Sequence, residues 1–181
     1  RWLDRKEADV EIRGRQGPLK SLAFSYDGSL LVAGGRENGQ LQTLRLGDLE
    51  RKDGLEPGSV TPDTLTKIGN APVIAAFALG NDEFAVACGK EVVRFDARNG
   101  RKLASLYEAK REISAMAIPP KGESLICAMG TTVVVVNLAS GLPTHTFESS
   151  AGEVTALSLP ANGSVIAAGT RTGKVFIWPV K

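Results

Sequence analysis

An all-β fold of repeated antiparallel sheets, four strands to a sheet, is what the sequence predicts, and three observations predict it. Short apolar runs recur along the chain, each leading through a turn into a second run that ends in Gly or Ala. No stretch of useful length keeps the 3.6-residue period of an amphipathic helix. The turns carry the dipeptides that tight reversals need: Asp27-Gly28, Asn38-Gly39, Asn99-Gly100 and Asn162-Gly163.

The pattern is clearest in residues 153–181. They read as three strands, Val154–Leu159, Val165–Gly169 and Lys174–Val180, parted by the turns Pro160-Ala161-Asn162-Gly163 and Arg171-Thr172-Gly173. Weaker copies start at Leu19, Val73 and Ile113, so successive starts fall 54, 40 and 41 residues apart. The two shorter intervals match the roughly 40–45 residues of one blade of a β-propeller. An insertion lengthens the first.

In chain order, residues 1–17 read as the end of a preceding blade, with Trp2 closing one strand and Val10–Arg13 forming an outer one. Residues 18–70 are a blade of Leu19–Phe24, Leu30–Gly34 and Gln40–Leu46, with an inserted loop at 47–66. That loop holds Gly54, Pro57, Gly58 and Pro62, which remove ladder donors and disfavour order, so it is expected on the surface. Residues 71–111 form a blade of Val73–Leu79, Phe84–Cys88, Val92–Asp96 and Lys102–Tyr107. Residues 112–152 form another, of Ile113–Ile118, Leu125–Met129, Thr132–Leu138 and His145–Phe147. The run Val133-Val134-Val135-Val136 implies a strand covered on both faces. Residues 153–181 are a last blade that lacks its outer strand.

Composition narrows the function classes. An apolar fraction of 43% over 181 residues is that of a globular domain with a core. Aromatics at 6% and 20 glycines suit close-packed strands and tight turns. A net charge of +2 is too small to imply nucleic-acid or membrane binding. No apolar run approaches the roughly 18 residues of a membrane span. Two cysteines, Cys88 and Cys127, are too few for a disulfide scaffold, which favours a reducing, cytoplasm-like compartment. The chain opens on Arg1 with no leader, so it is expected to be processed or cut from something longer.

With the repeats laid out, the chain resembles the WD40-type β-propeller. Phe95-Asp96 stands in the Trp-Asp position, Trp178 ends the last unit, and Pro18-Leu19 and Pro72-Val73 enter inner strands. The turns Asp27-Gly28, Lys121-Gly122 and Asn162-Gly163 also match. The resemblance is degenerate. The Gly-His pair of the family appears as Gly14-Arg15, Gly69-Asn70, Glu108-Ala109 and Ser149-Ser150, and the final Trp-Asp is Trp178-Pro179. The turns at 96–100 and 137–141 also resemble pyrroloquinoline-quinone-type propeller repeats.

Such a resemblance implies about four blades, expected to be the C-terminal part of a seven- or eight-bladed ring. Two alternatives remain open: two chains completing an eight-bladed ring by lending Val10–Arg13 to each other, or one chain closing a four-bladed ring. Either way the edge at 174–180 calls for a partner, the missing half of the propeller or another copy of the chain.

No residue set reaches a catalytic hypothesis. His145 is alone, on an outer strand, so a Ser-His-Asp arrangement has no other base. Cys88 and Cys127 end the second strands of consecutive units and read as small buried residues. With no Cys-x-x-Cys and no clustered His, neither a metal site nor a cofactor site is expected. Gly34-Gly35 lacks the Lys-Ser/Thr of a phosphate loop, and adjacent Asp82 and Glu83 would point to opposite faces.

Binding is the better-supported expectation. The loops on one face carry a mixed rim of cations and acids, from which Arg15, Arg36, Lys110, Arg111 and Arg171 are the expected protein contacts. The reading is a non-catalytic protein–protein interaction scaffold. Its alternative is the propeller domain of a quinoprotein- or cytochrome-linked redox enzyme with the active site outside this chain.

Overall fold

The computed structural model describes residues 18–35, 39–46, 64–119 and 122–180, and the secondary structure among them is entirely β. Trp2, Val10–Arg13, Arg15, Arg36 and most of the inserted loop lie outside the described residues.

Four antiparallel sheets follow one another along the chain. The first blade is β1 (Leu19–Phe24), β2 (Leu30–Gly35), β3 (Gln40–Arg45) and β4 (Thr64–Lys67); the second is β5 (Val73–Ala78), β6 (Glu83–Cys88), β7 (Glu91–Asp96) and β8 (Arg101–Glu108). The third is β9 (Ala115–Ala117), β10 (Ser124–Met129), β11 (Thr132–Asn137) and β12 (Pro143–Glu148). The fourth has three strands, β13 (Val154–Ser158), β14 (Val165–Thr170) and β15 (Val175–Pro179). Each pairs in chain order, and among the described residues β15 has a neighbour on one side only.

Two details depart from the sequence reading. Strand β4 begins at Thr64 and takes the last three residues assigned to the inserted loop. The inner strand of the third blade is cut to three residues; just ahead of it Ser114 still donates from its N to Ala128 O at 2.8 Å, while its hydroxyl donates to Val154 O at 2.6 Å, across to the fourth blade.

Alternation along a strand sends successive side chains to opposite faces, and here both faces are apolar. In β6, Phe84 and Val86 pack toward the first blade while Ala85 and Ala87 pack toward the third. In β10, Leu125 and Cys127 face the second blade while Ile126 and Ala128 face the fourth. Three cores result, one between each pair of consecutive blades. Among the described residues no such core joins the fourth blade to the first, so the blades form an open arc.

Glycine is required where the arc is tightest. A Cβ on Gly34 would run into Val73 Cγ1 of the next blade. Gly28 and Gly163 turn their hairpins at φ of 70° and 64°, a region costly for other residues. The first of these turns is tied by Asp27, whose carboxylate accepts from Ser25 Oγ at 2.6 Å, Ser29 Oγ at 2.8 Å and Ser29 N at 3.0 Å. Those bonds, Ser25 first, lower its pKa from 3.8 to about 2.

His145, Phe147, Trp178 and Phe176 form a ladder of stacked rings from β12 to β15, with centroids 6.4, 5.3 and 5.6 Å apart. The ladder fastens the unpartnered strand to the third blade.

Two outcomes follow. Phe84→Ala, which empties a fully buried site between the first two blades, is expected to cost about 3–5 kcal/mol in a denaturant melt. Because the folded Asp27 pKa is depressed, its contribution is complete above the unfolded value and fades as pH falls through about 2. A carboxyl NMR titration should place its midpoint near 2, and Ser25→Ala should move that midpoint up.

Candidate interaction surface

The edge of the arc that carries the β6–β7, β10–β11 and β14–β15 turns also carries the loops between blades. Backbone bonds build both from the same parts. After β8, Ala109 N donates to Lys90 O at 2.7 Å and Ile113 N donates to Gly89 O at 2.8 Å. Ala109 and Ile113 are buried, so the loop is pinned at both ends and Lys110, Arg111 and Glu112 stand out between the pins. After β12 the same arrangement returns: Ser149 N donates to Thr131 O and Val154 N to Gly130 O, each at 2.8 Å. Here Ser150, Ala151, Gly152 and Glu153 occupy the projecting stretch.

The side chains of the first loop reach toward the second. The guanidinium of Arg111 lies over Gly130, where a Cβ would sit 3.5 Å from its Nη1. Lys110 and Arg111 line a notch of about 460 Å³ with Tyr107, Thr131, Thr132 and Glu148 among its other walls. Glu148 accepts from Thr131 Oγ1 at 3.1 Å and Thr132 Oγ1 at 2.8 Å, which holds that wall in place. Burial, with a smaller contribution from Cys127, raises the Tyr107 phenol above its ordinary 10.0, so it stays a neutral donor.

The corresponding notch one blade earlier, about 520 Å³, is lined by Asn70, Lys90, Glu91 and Glu108 among others. Its charge is different: Glu91 takes a 2.6 Å hydrogen bond from Lys102 Nζ, which holds the carboxyl below its usual range.

Of the expected contact residues, Lys110 and Arg111 share one notch. Arg171 stands on the adjoining turn, its N donating to Glu153 O at 2.9 Å and its side chain pairing with Glu153 at 3.3 Å. Arg15 and Arg36 lie outside the described residues. Tyr107, Thr131, Thr132 and Glu148, which complete the walls of that notch, were not legible in the sequence. Glu148 ends an outer strand that runs one residue past the Phe147 at which the sequence reading stops it, in the position Glu108 holds in the preceding blade.

Residues with catalytic chemistry are dispersed. Cys127 is buried, and that burial raises its thiol to about 12. Cys88 donates to Ala71 O at 3.1 Å, and burial raises its thiol too. His145 is stacked on Phe147. Among the described residues no three His, Cys, Asp or Glu side chains gather as a metal site, and no helix is long and apolar enough to cross a membrane.

Against known proteins, the model of the WD domain, G-beta repeat, matches residues 9–42 and 141–179. No curated relative matches the chain in sequence. Among solved structures, the β-propeller domain of Cps50 (Swd1) from Myceliophteria thermophila superposes with a TM-score of 0.74 at 16% identity, over 94% of this chain and 55% of that one. A chain of the Mitotic Checkpoint Complex superposes with a TM-score of 0.77 at 16% identity, over 93% of this chain and 51% of that one. The chain therefore spans about half the length of both. The computationally designed Ika4 protein superposes with a TM-score of 0.73 at 19% identity, over 98% of this chain and the whole of that one.

The second matched segment runs from the turn before β12 through β13, β14 and β15, so the family unit begins one strand ahead of the blade it completes. Residues 9–42 and 141–179 thus match WD40-type repeats, and successive outer and inner strands tied in this way, with apolar faces buried against the next sheet, give the chain a β-propeller-type architecture.

Proposed function

We propose that the chain is a non-catalytic protein-interaction scaffold that captures acidic segments of partner proteins through the Lys110–Arg111 notch. One observation carries the reading. Two adjacent cations project from a loop pinned at both ends, over a bare glycine turn and beside a neutral phenol. The ion pairs among the described residues, Arg94–Glu83, Arg98–Asp82, Lys102–Glu91 and Arg171–Glu153, involve neither cation.

A pinned loop presents its charges without the ordering cost that a mobile one would meet on binding. Arginine adds a planar fork that matches a carboxylate. Arg171 extends the surface, because a pair as exposed as Arg171–Glu153 contributes little to stability and can exchange partners. The resemblance to Swd1 and to a chain of the Mitotic Checkpoint Complex supports a role in protein assemblies.

The test is charge reversal. Lys110→Glu with Arg111→Glu should weaken binding to an acidic peptide library at least tenfold and steepen no salt dependence. Arg101→Glu, an exposed change on the outer strand β8, should leave binding within twofold. Equal binding by all three proteins would remove the notch from the proposal.

A further inference from the structure

We propose that the two end faces of the arc dock against each other between two copies of this chain, head to tail, to complete an eight-bladed ring. The inference stands apart from the notch and rests on a pair of residues repeated at every internal junction.

Each junction is centred on one residue from the start of a third strand and one from the entry to the next inner strand. Leu41 of β3 shares the first core with Val73, Val92 of β7 shares the second with Ile113, and Val133 of β11 shares the third with Val154. All six are buried, five of them completely and Ile113 at 2%. Register identifies the residues that would make the fourth pair. Val175 stands opposite Gly169 as Leu41 stands opposite Gly34, and Leu19 stands opposite Gly35 as Val154 stands opposite Thr170. Val175 is 68% exposed and Leu19 46% exposed. The interface is built three times between consecutive blades, and its two halves stand exposed on the first and fourth blades among the described residues.

The rest of each half agrees. On the first blade Leu22 pairs with Ala33 as Leu157 pairs with Ala168. Leu157 packs against the third blade, whereas Leu22 is 61% exposed. On the fourth blade Gly169 occupies the place of Gly34, but a Cβ there would meet only Ala156, at 3.7 Å. The space that Val73 fills beside Gly34 is open beside Gly169.

The occupant that these halves fit is the opposite half, since each resembles a surface already buried within the chain. Within one chain the halves stay apart: no core joins the first and fourth blades among the described residues. The arc matches 55% and 51% of two natural propeller chains, so its curvature is that of about half a ring. Two arcs related by a two-fold axis close the ring with both junctions satisfied.

Light scattering on the 181-residue chain at tens of micromolar should give twice 19.1 kDa. Val175→Asp and Leu22→Asp, both at exposed positions, should each give a folded monomer by circular dichroism. Mixing the two variants should restore association, because the mixed pair keeps one junction with no substitution. Gly169→Val, which has room within its own chain, should also give a monomer. A folded wild-type monomer, a mass above the dimer, a dimer that survives one of the two Asp variants, or a mixture that stays monomeric would each overturn the proposal.

Discussion

The structure depends on a single constraint: every sheet is apolar on both faces, so no blade is stable until a neighbour covers it. In an antiparallel sheet with one wet face, polar residues alternate with apolar ones. In β10 and β11 they do not, and Leu125 to Met129 and Val133 to Val136 are all buried. Burying one such side chain contributes about 1.5–3 kcal/mol, so a core like that between the third and fourth blades outweighs any hydrogen bond crossing it. Stability in a repeat array of this kind is a sum of blade terms and junction terms. A change at a junction therefore weakens two blades, while a change on an outer strand such as β8 weakens one.

Close packing of the blades also dictates the loops. A chain that leaves an outer strand must return at once to the axis, and it does so by hanging on the turn of the preceding sheet. Ala109 and Ile113 are apolar because they must bury at the two pins, and the residues between them are charged because nothing remains to cover them. The notch is thus a by-product of the fold whose chemistry the projecting residues are free to set. The contrast between the two notches shows this: the same backbone holds Asn70 and Glu91 in one and Lys110 and Arg111 in the other.

Strands and hairpins were legible in the sequence because their signals are local: Gly at turns, Asn or Asp before it, and apolar runs of five or six residues. Two misreadings have different origins. Strand β4 follows a stretch rich in Gly and Pro, and Thr64-Leu65-Thr66 has too few apolar residues to stand out against it. The Ser114 hydroxyl, just ahead of β9, finds its acceptor 40 residues away, and no window on the sequence contains both. For the surface, spacing alone put Lys110 and Arg111 on a loop between blades. It could not bring in Tyr107 or Glu148, which arrive from outer strands of two different blades, nor reveal that Arg171 is already paired with Glu153.

Titratable groups reinforce the reading of the fold as a platform. The perturbations have structural causes that differ from one element to the next. Asp27 is lowered by the hydroxyls of its turn, Cys127 is raised by the core around it, and Glu91 is lowered by Lys102. These groups belong to different turns, strands and faces, and each helps to hold the element that carries it. The described surface places two cations on a pinned loop, at the mouth of a notch in which Glu148 is hydrogen-bonded to Thr131 and Thr132. A rigid edge with a localised charge is suited to recognising a partner's surface, and the blades behind it supply the rigidity.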